Sequence, residues 1–149
     1  MKVVAISGGF DPVHIGHIDL MQRAKALGDR LVVIINNDNW LKKKKGFAFM
    51  SQDERAGILR AIKYVDDVII TSHPENPTDM SVCAELEKLH PDIFANGGDR
   101  DKNDASQKTS SLNPEQILCQ KLGIELVFNL GEKVQSSSEL VKRVKENKS

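Results

Sequence analysis

Short apolar runs alternate with stretches in which apolar residues recur every three or four positions. Lys2 to Ser7 is a β-branched run closed by Gly8-Gly9, which predicts a buried strand. Ile18, Met21, Ala24 and Leu27 then fall at helical spacing, with Gly28 as the expected C-terminal cap. Leu31 to Ile35 is a second buried strand. Ser51-Gln52-Asp53-Glu54 reads as a capping box, with a helix through Ile58, Leu59 and Ile62. Val68-Ile69-Ile70, Ile93-Phe94-Ala95 and Ile124 to Phe128 are three further strands. Helices are expected from Asp79 to Leu89, after the Asn113-Pro114 cap, and from Ser138 to Lys145. Asn103 to Ser111 is polar and reads as a loop.

Alternating strands and helices imply parallel strands joined by crossover helices. Strands apolar on both sides belong to a sheet covered on both faces. The expected fold is therefore α/β: a Rossmann-like, doubly wound, five-stranded parallel sheet with helices on both faces. Such sheets bind ligands beyond the carboxyl ends of their strands, where strand order reverses. The loops after Ser7, Ile35, Ala95 and Phe128 should meet there.

A chain of 149 residues with 40% hydrophobic positions fits one domain, spanning 1–149. Its 21 basic and 21 acidic residues balance, which argues against nucleic-acid or membrane-surface partners. No apolar stretch is long enough to span a bilayer. Met1 to Ile6 is too short for a signal-peptide core and reads as strand. Cys83 and Cys119 stand alone, too sparse for a disulfide framework or zinc site, as expected of a cytoplasmic protein.

The densest chemistry lies in Gly8-Gly9-Phe10-Asp11-Pro12-Val13-His14-Ile15-Gly16-His17. Glycines between a strand and a helix let a backbone approach phosphate closely. A helix start offers unpaired N–H groups and a positive dipole end. The three glycines of a dinucleotide fingerprint are absent. Instead two histidines, three residues apart, come to one side of the helix entry. They could also bind zinc, but no third ligand is placed nearby.

Gly9-Phe10-Asp11 followed by His14-Ile15-Gly16-His17 resembles the signature of the cytidylyltransferase-like nucleotidyltransferases, with their H-x-G-H element. The resemblance continues in Lys45-Gly46, in Arg55, in Asn96-Gly97-Gly98-Asp99, in Ser136-Ser137-Ser138 and in Leu140 to Val144. It implies attack by a small phosphomonoester, a sugar or polyol phosphate, on the α-phosphorus of ATP or CTP, with magnesium, releasing pyrophosphate. It implies that His14, His17 and Lys45 act on the phosphates. Nucleotide contacts would come from Gly8, Gly9, Phe10, Asp11, Gly16, Arg55, Gly97, Gly98, Asp99, Ser136, Ser137 and Ser138. Asp11 would chiefly support its loop, and no residue is assigned as a metal ligand. Relatives are often dimers, so a homodimer is expected. A phosphate monoester carries about −1.5 to −2 charges at neutral pH, so it needs no general base. The task left to the protein is placement and charge stabilisation.

Gly131 to Ser137 lacks the arginine that glycerol-3-phosphate enzymes carry in a corresponding R-T-E-G-I-S-T stretch. The Gly-Gly-Asp turn leans toward heptose 1-phosphate adenylyltransferases, although those have lysine in place of Asn96. Trp40 reads as a half-buried aromatic or a substrate contact. The rival reading is a nucleotide-binding regulator of the same fold without turnover. A class I aminoacyl-tRNA synthetase shares a similar histidine element, but this chain is too short for an anticodon domain.

Overall fold

The structure, a computed structural model, describes residues 1–97 and 112–130. Five strands, β1 (Val3–Gly8), β2 (Arg30–Ile35), β3 (Asp67–Ile70), β4 (Ile93–Gly97) and β5 (Glu125–Leu130), form one sheet in the order β3-β2-β1-β4-β5. Every pairing is parallel. The described helices are α1 (Ile15–Lys25), α2 (Asp38–Lys45), α3 (Gln52–Arg60), α4 (Cys83–Leu89) and α5 (Leu112–Leu122). The expected doubly wound α/β fold is thus what forms.

Strand order reverses at β1. The chain moves outward through β2 and β3, then returns to place β4 on the opposite side of β1. The alternation of side chains along each strand splits the core accordingly. Val4, Ile6, Val33 and Ile35 pack with Met21 and Ala24 of α1 and Ala56 and Leu59 of α3. Ala5, Ile34 and Phe94 pack on the other face with Leu86 of α4 and Cys119 of α5. Helices diverging to opposite faces from neighbouring strands leave a crevice over the carboxyl end of β1.

Some local expectations shift. Gly28 is not a left-handed cap: α1 ends at Lys25 with Ala26 in right-handed geometry. Glycine is needed at 28 for proximity, because a Cβ there would lie 2.8 Å from the Lys2 carbonyl oxygen. The segment before α4 does not start the helix at Asp79; that carboxylate instead accepts from the Ser81 N–H and hydroxyl. Helix α2 is an addition. Asn37 caps it by accepting from Trp40 N–H, and Gly46 at φ 87° ends it, so the lysine run is helical. Ser51 caps α3 through Glu54 N–H, as expected. Cys119 is buried and Cys83 partly so, and both are free thiols. Burial pushes Cys119 up to about 12, so it stays a protonated, inert core residue. No described helix is long and apolar enough to cross a membrane. The expected last helix from Ser138 and the Asn103–Ser111 loop lie outside the described residues.

Candidate active site

The crevice at the end of β1 has a volume of about 210 Å³. Its floor is Ser7, Gly8 and Gly9, flanked by Asn36 after β2 and by Ala95, Asn96 and Gly97 of β4. Phe10, His17 and Leu20 form the wall on the α1 side. Trp40, Met80, Val82 and Glu115 form the opposite wall. Three of the four predicted loops therefore meet. The fourth, after β5, begins beyond residue 130 and lies outside the described residues.

The turn leaving β1 is shaped by close approaches. Phe10 sits at φ 50°, which folds its ring back over Gly8; a Cβ at Gly8 would be 3.2 Å from that ring. A Cβ at Gly9 would be 3.0 Å from Leu41 Cδ2. The Phe10 ring then meets His17 edge-on, at 4.8 Å between centroids.

His14 and His17 cap α1 with their own imidazoles. His14 is the N-cap residue, and its Nδ1 accepts from Gly16 N–H at 3.1 Å. His17 Nδ1 reaches back to accept from His14 N–H at 3.2 Å. The arrangement is a capping box built from histidines instead of serine and glutamate. The rings stack 3.8 Å apart at 21°. A backbone N–H can only donate, so each Nδ1 must present a lone pair. The neutral rings therefore carry their protons on Nε2.

Electrostatics keep them neutral. Burial, then the neighbouring His14 and Lys45 charges, lower His17 to about 3. Burial also lowers His14. At neutral pH the pair offers two uncharged Nε2–H donors beside a helix N-terminus whose first turn holds no acidic residue. His14 Nε2 is buried with no hydrogen-bond partner among the described residues. Such a donor is costly unless a ligand satisfies it.

Lys45 ends α2 close enough for its charge to bear on His17. Burial lowers its pKa, Asp11 opposes that shift, and Arg55 reinforces it. Lys45 thus lies near His17, Asp11 and Arg55, although it does not line the crevice.

Two expected nucleotide contacts prove to be scaffold. Arg55 is fully buried. Its Nε donates to the Met50 carbonyl, and Nη1 donates to those of Gly9 and Asn36 at 2.8 and 2.6 Å. Nη2 donates to Asp38 at 2.8 Å. With these donors committed and no exposure, it ties the β1 turn to β2, α2 and α3 and cannot grip a nucleotide. Asp11 is buried too, and its carboxylate accepts from the N–H groups of Phe49 and Met50 at 2.6 and 2.7 Å. It holds the loop before α3 and does not line the crevice. Gly16 also differs from expectation, since its N–H is taken by His14 and is not available to phosphate.

Gly8, Gly9, Phe10 and Gly97 line the crevice. Gly98, Asp99, Ser136, Ser137 and Ser138 lie outside the described residues. Sequence reading missed Asn36, Met80, Val82 and Glu115. Asn36-Asn37 was detectable as a polar pair directly after an apolar parallel strand. Glu115 carried no such signal, because only the packing of α5 brings it to the Val82 N–H. Among the described residues no three potential ligands cluster to hold a metal ion. Of the carboxylates there, Asp11 already accepts two backbone donors and Glu115 accepts from the Val82 N–H, so the described side chains do not fit a resident magnesium.

Residues 5–144 match the cytidylyltransferase-like family. The FAD synthase of Pyrococcus abyssi is 35% identical over 147 residues, covering 96% of this chain and 92% of that protein. The bifunctional protein HldE of Koribacter versatilis is 38% identical over 100 residues, which is 66% of this chain and 19% of that one. A lipopolysaccharide core biosynthesis protein from Thermoplasma volcanium superposes with a TM-score of 0.68 at 24% identity, covering 91% of this chain and 99% of that one, and shares the fold. Family match, fold and the histidine-capped crevice agree: the chain belongs to the cytidylyltransferase-like family and is a nucleotidyltransferase.

Proposed function

We propose that this enzyme transfers AMP from ATP to the phosphate of FMN, forming FAD and releasing pyrophosphate. The observation that carries the transfer chemistry is the pair of neutral Nε2–H donors at the start of α1. FMN is a phosphomonoester that carries a flavin ring, and so differs from the small sugar or polyol phosphate that the resemblance implied. It is favoured because the FAD synthase of Pyrococcus abyssi is matched over 92% of its length, whereas HldE of Koribacter versatilis is matched over 19%.

In this reading an acceptor phosphate oxygen attacks the α-phosphorus of ATP. The bond to the β-phosphate oxygen breaks, and pyrophosphate leaves with that electron pair. His14 and His17 donate Nε2–H to phosphate oxygens as charge redistributes. Being neutral, they can give hydrogen bonds without being drawn into proton transfer. Lys45 offsets the repulsion between the two anionic substrates. The α1 N-terminus adds its positive dipole end. A divalent cation would be carried by the triphosphate and would offset its charge, with no described side chain assigned to hold it.

The experiment crosses ATP, CTP, GTP and UTP with FMN, heptose 1-phosphate and glycerol 3-phosphate, scoring pyrophosphate and the dinucleotide product. ATP with FMN should release one pyrophosphate per FAD. Turnover with heptose 1-phosphate but not FMN would favour the HldE-like alternative, in line with the stretch of about 38% identity. Nucleotide binding without turnover on any acceptor would favour the regulator.

A further inference from the structure

The wall opposite the histidines has a composition that phosphate chemistry does not call for. Trp40, the chain's only tryptophan, lines the crevice and is half-buried. Its indole N–H donates to the Met80 carbonyl at 2.8 Å, so the polar edge is satisfied and the ring is locked. Its far edge reaches to 3.7 Å from where a Cβ of Gly9 would lie. The ring therefore stretches from Met80 toward the turn that follows β1. A tryptophan fixed in this way presents an apolar face with little conformational entropy left to lose.

Asn36 lines the same crevice, just after β2. The residue is 5% exposed, and its side-chain Oδ1 is buried with no partner among the described residues. Its backbone needs no help from the side chain: the N–H donates to the Gly8 carbonyl, and its own carbonyl accepts from Arg55. A buried amide atom left unpaired next to a pre-set aromatic face is a recognition element without its ligand. Asn96, in β4 on the other side of β1, also has an amide nitrogen with no partner among the described residues.

We propose that Trp40 and Asn36 form an acceptor-reading subsite, selecting phosphomonoesters that carry a flat, hydrogen-bonding heteroaromatic ring over bare sugar or polyol phosphates. This rests on the adenylyl-transfer reading above and deepens it. The ring lies against the Trp40 face, and the Asn36 amide pairs with a polar atom on the ring edge. The acceptor's phosphate then falls toward His17 on the opposite wall. An acceptor without a ring leaves Asn36 unpaired and Trp40 uncovered, so discrimination falls on acceptor binding.

The test is steady-state kinetics of Trp40→Ala, Trp40→Phe and Asn36→Ala with ATP and either FMN or glycerol 3-phosphate, alongside thermal unfolding. Stacking on an aromatic side chain implies that Trp40→Ala raises KM for FMN about tenfold or more. KM for ATP should stay within about twofold, and Trp40→Phe should recover most of the loss. Asn36→Ala should raise KM for FMN about two- to tenfold, as for one lost hydrogen bond, without lowering Tm, because it removes an unsatisfied group. If Trp40→Ala does not fold, Trp40→Phe and Asn36→Ala carry the test. Wild-type turnover of FMN with KM unmoved in the variants would overturn this inference and leave the proposed function standing. An equal rise in KM for ATP, or a drop in Tm for Asn36→Ala, would also overturn it. A wild-type enzyme inactive on FMN would remove the function and the subsite together.

Discussion

His14 and His17 start α1, whereas Arg55 and Asp11 fasten the turn after β1 to neighbouring segments, and the two sets divide the labour of the site in an unexpected way. Arg55 and Asp11 carry formal charges, the usual attribute of phosphate-handling residues. Yet both are buried, and their donors and acceptors are committed to backbone groups and Asp38. The histidines are uncharged, and each directs Nδ1 into the helix start, with His14 Nε2 left without a partner among the described residues. What distinguishes machinery from scaffold here is not charge but which donors remain once the fold has taken its share.

The largest effect should follow from breaking the scaffold. Arg55→Ala would leave three carbonyls without their donor and take the partner from Asp38, whose side chain is 29% exposed. Stability should fall by about 3–5 kcal/mol, read by chemical denaturation, with activity lost through unfolding. A change below about 1 kcal/mol would mean that the clamp is dispensable. His17→Asn should do the opposite, leaving the fold largely intact and lowering kcat about a hundredfold or more, roughly 3 kcal/mol in the barrier. Single-turnover kinetics with ATP and FMN would show it, and unaltered turnover would remove His17 from the chemistry.

Acid sharpens the same contrast. Both histidines have folded pKa values below the ordinary 6.5, so the unfolded chain binds protons that the native one does not. Their contribution is fully present above pH 6.5. As pH falls from there toward about 3, unfolding free energy should drop by roughly 1 kcal/mol per pH unit. Denaturation of the wild type and of His17→Asn at pH 7 and pH 5 would reveal this, and parallel pH dependence would contradict it. The smallest effect belongs to Ser51→Ala at the start of the Arg55 helix. It should cost about 1 kcal/mol in Tm measurements and leave KM for ATP unchanged.

Much of this was legible in the sequence. The β-branched runs and their spacing specify the parallel sheet, and the reversal at β1 places the crevice after Gly8-Gly9. The histidines were identifiable because helix entry and three-residue spacing are local properties. Arg55 was misread because its role depends on carbonyls 5, 19 and 46 residues away, at Met50, Asn36 and Gly9. Helix α2 escaped notice because only Leu41 of its eight residues is buried, leaving almost no apolar periodicity. Its punctuation, Asn37-Asp38 at the start and Gly46 at the end, was the usable signal. Glu115 and Val82 reach the crevice through the packing of α4 and α5, which no local pattern encodes.

The central claim is that His14 and His17 are neutral Nε2–H donors kept for phosphate. Nitrogen NMR of ¹⁵N-histidine-labelled enzyme, assigned with the His14→Ala and His17→Ala variants, tests it directly. Both rings should show the Nε2–H tautomer from pH 6 to 8, with no protonation of His17 in that range, and both Nε2–H signals should move when ATP binds. An Nδ1–H tautomer, a His17 titration near 6.5, or signals indifferent to ATP would contradict the account.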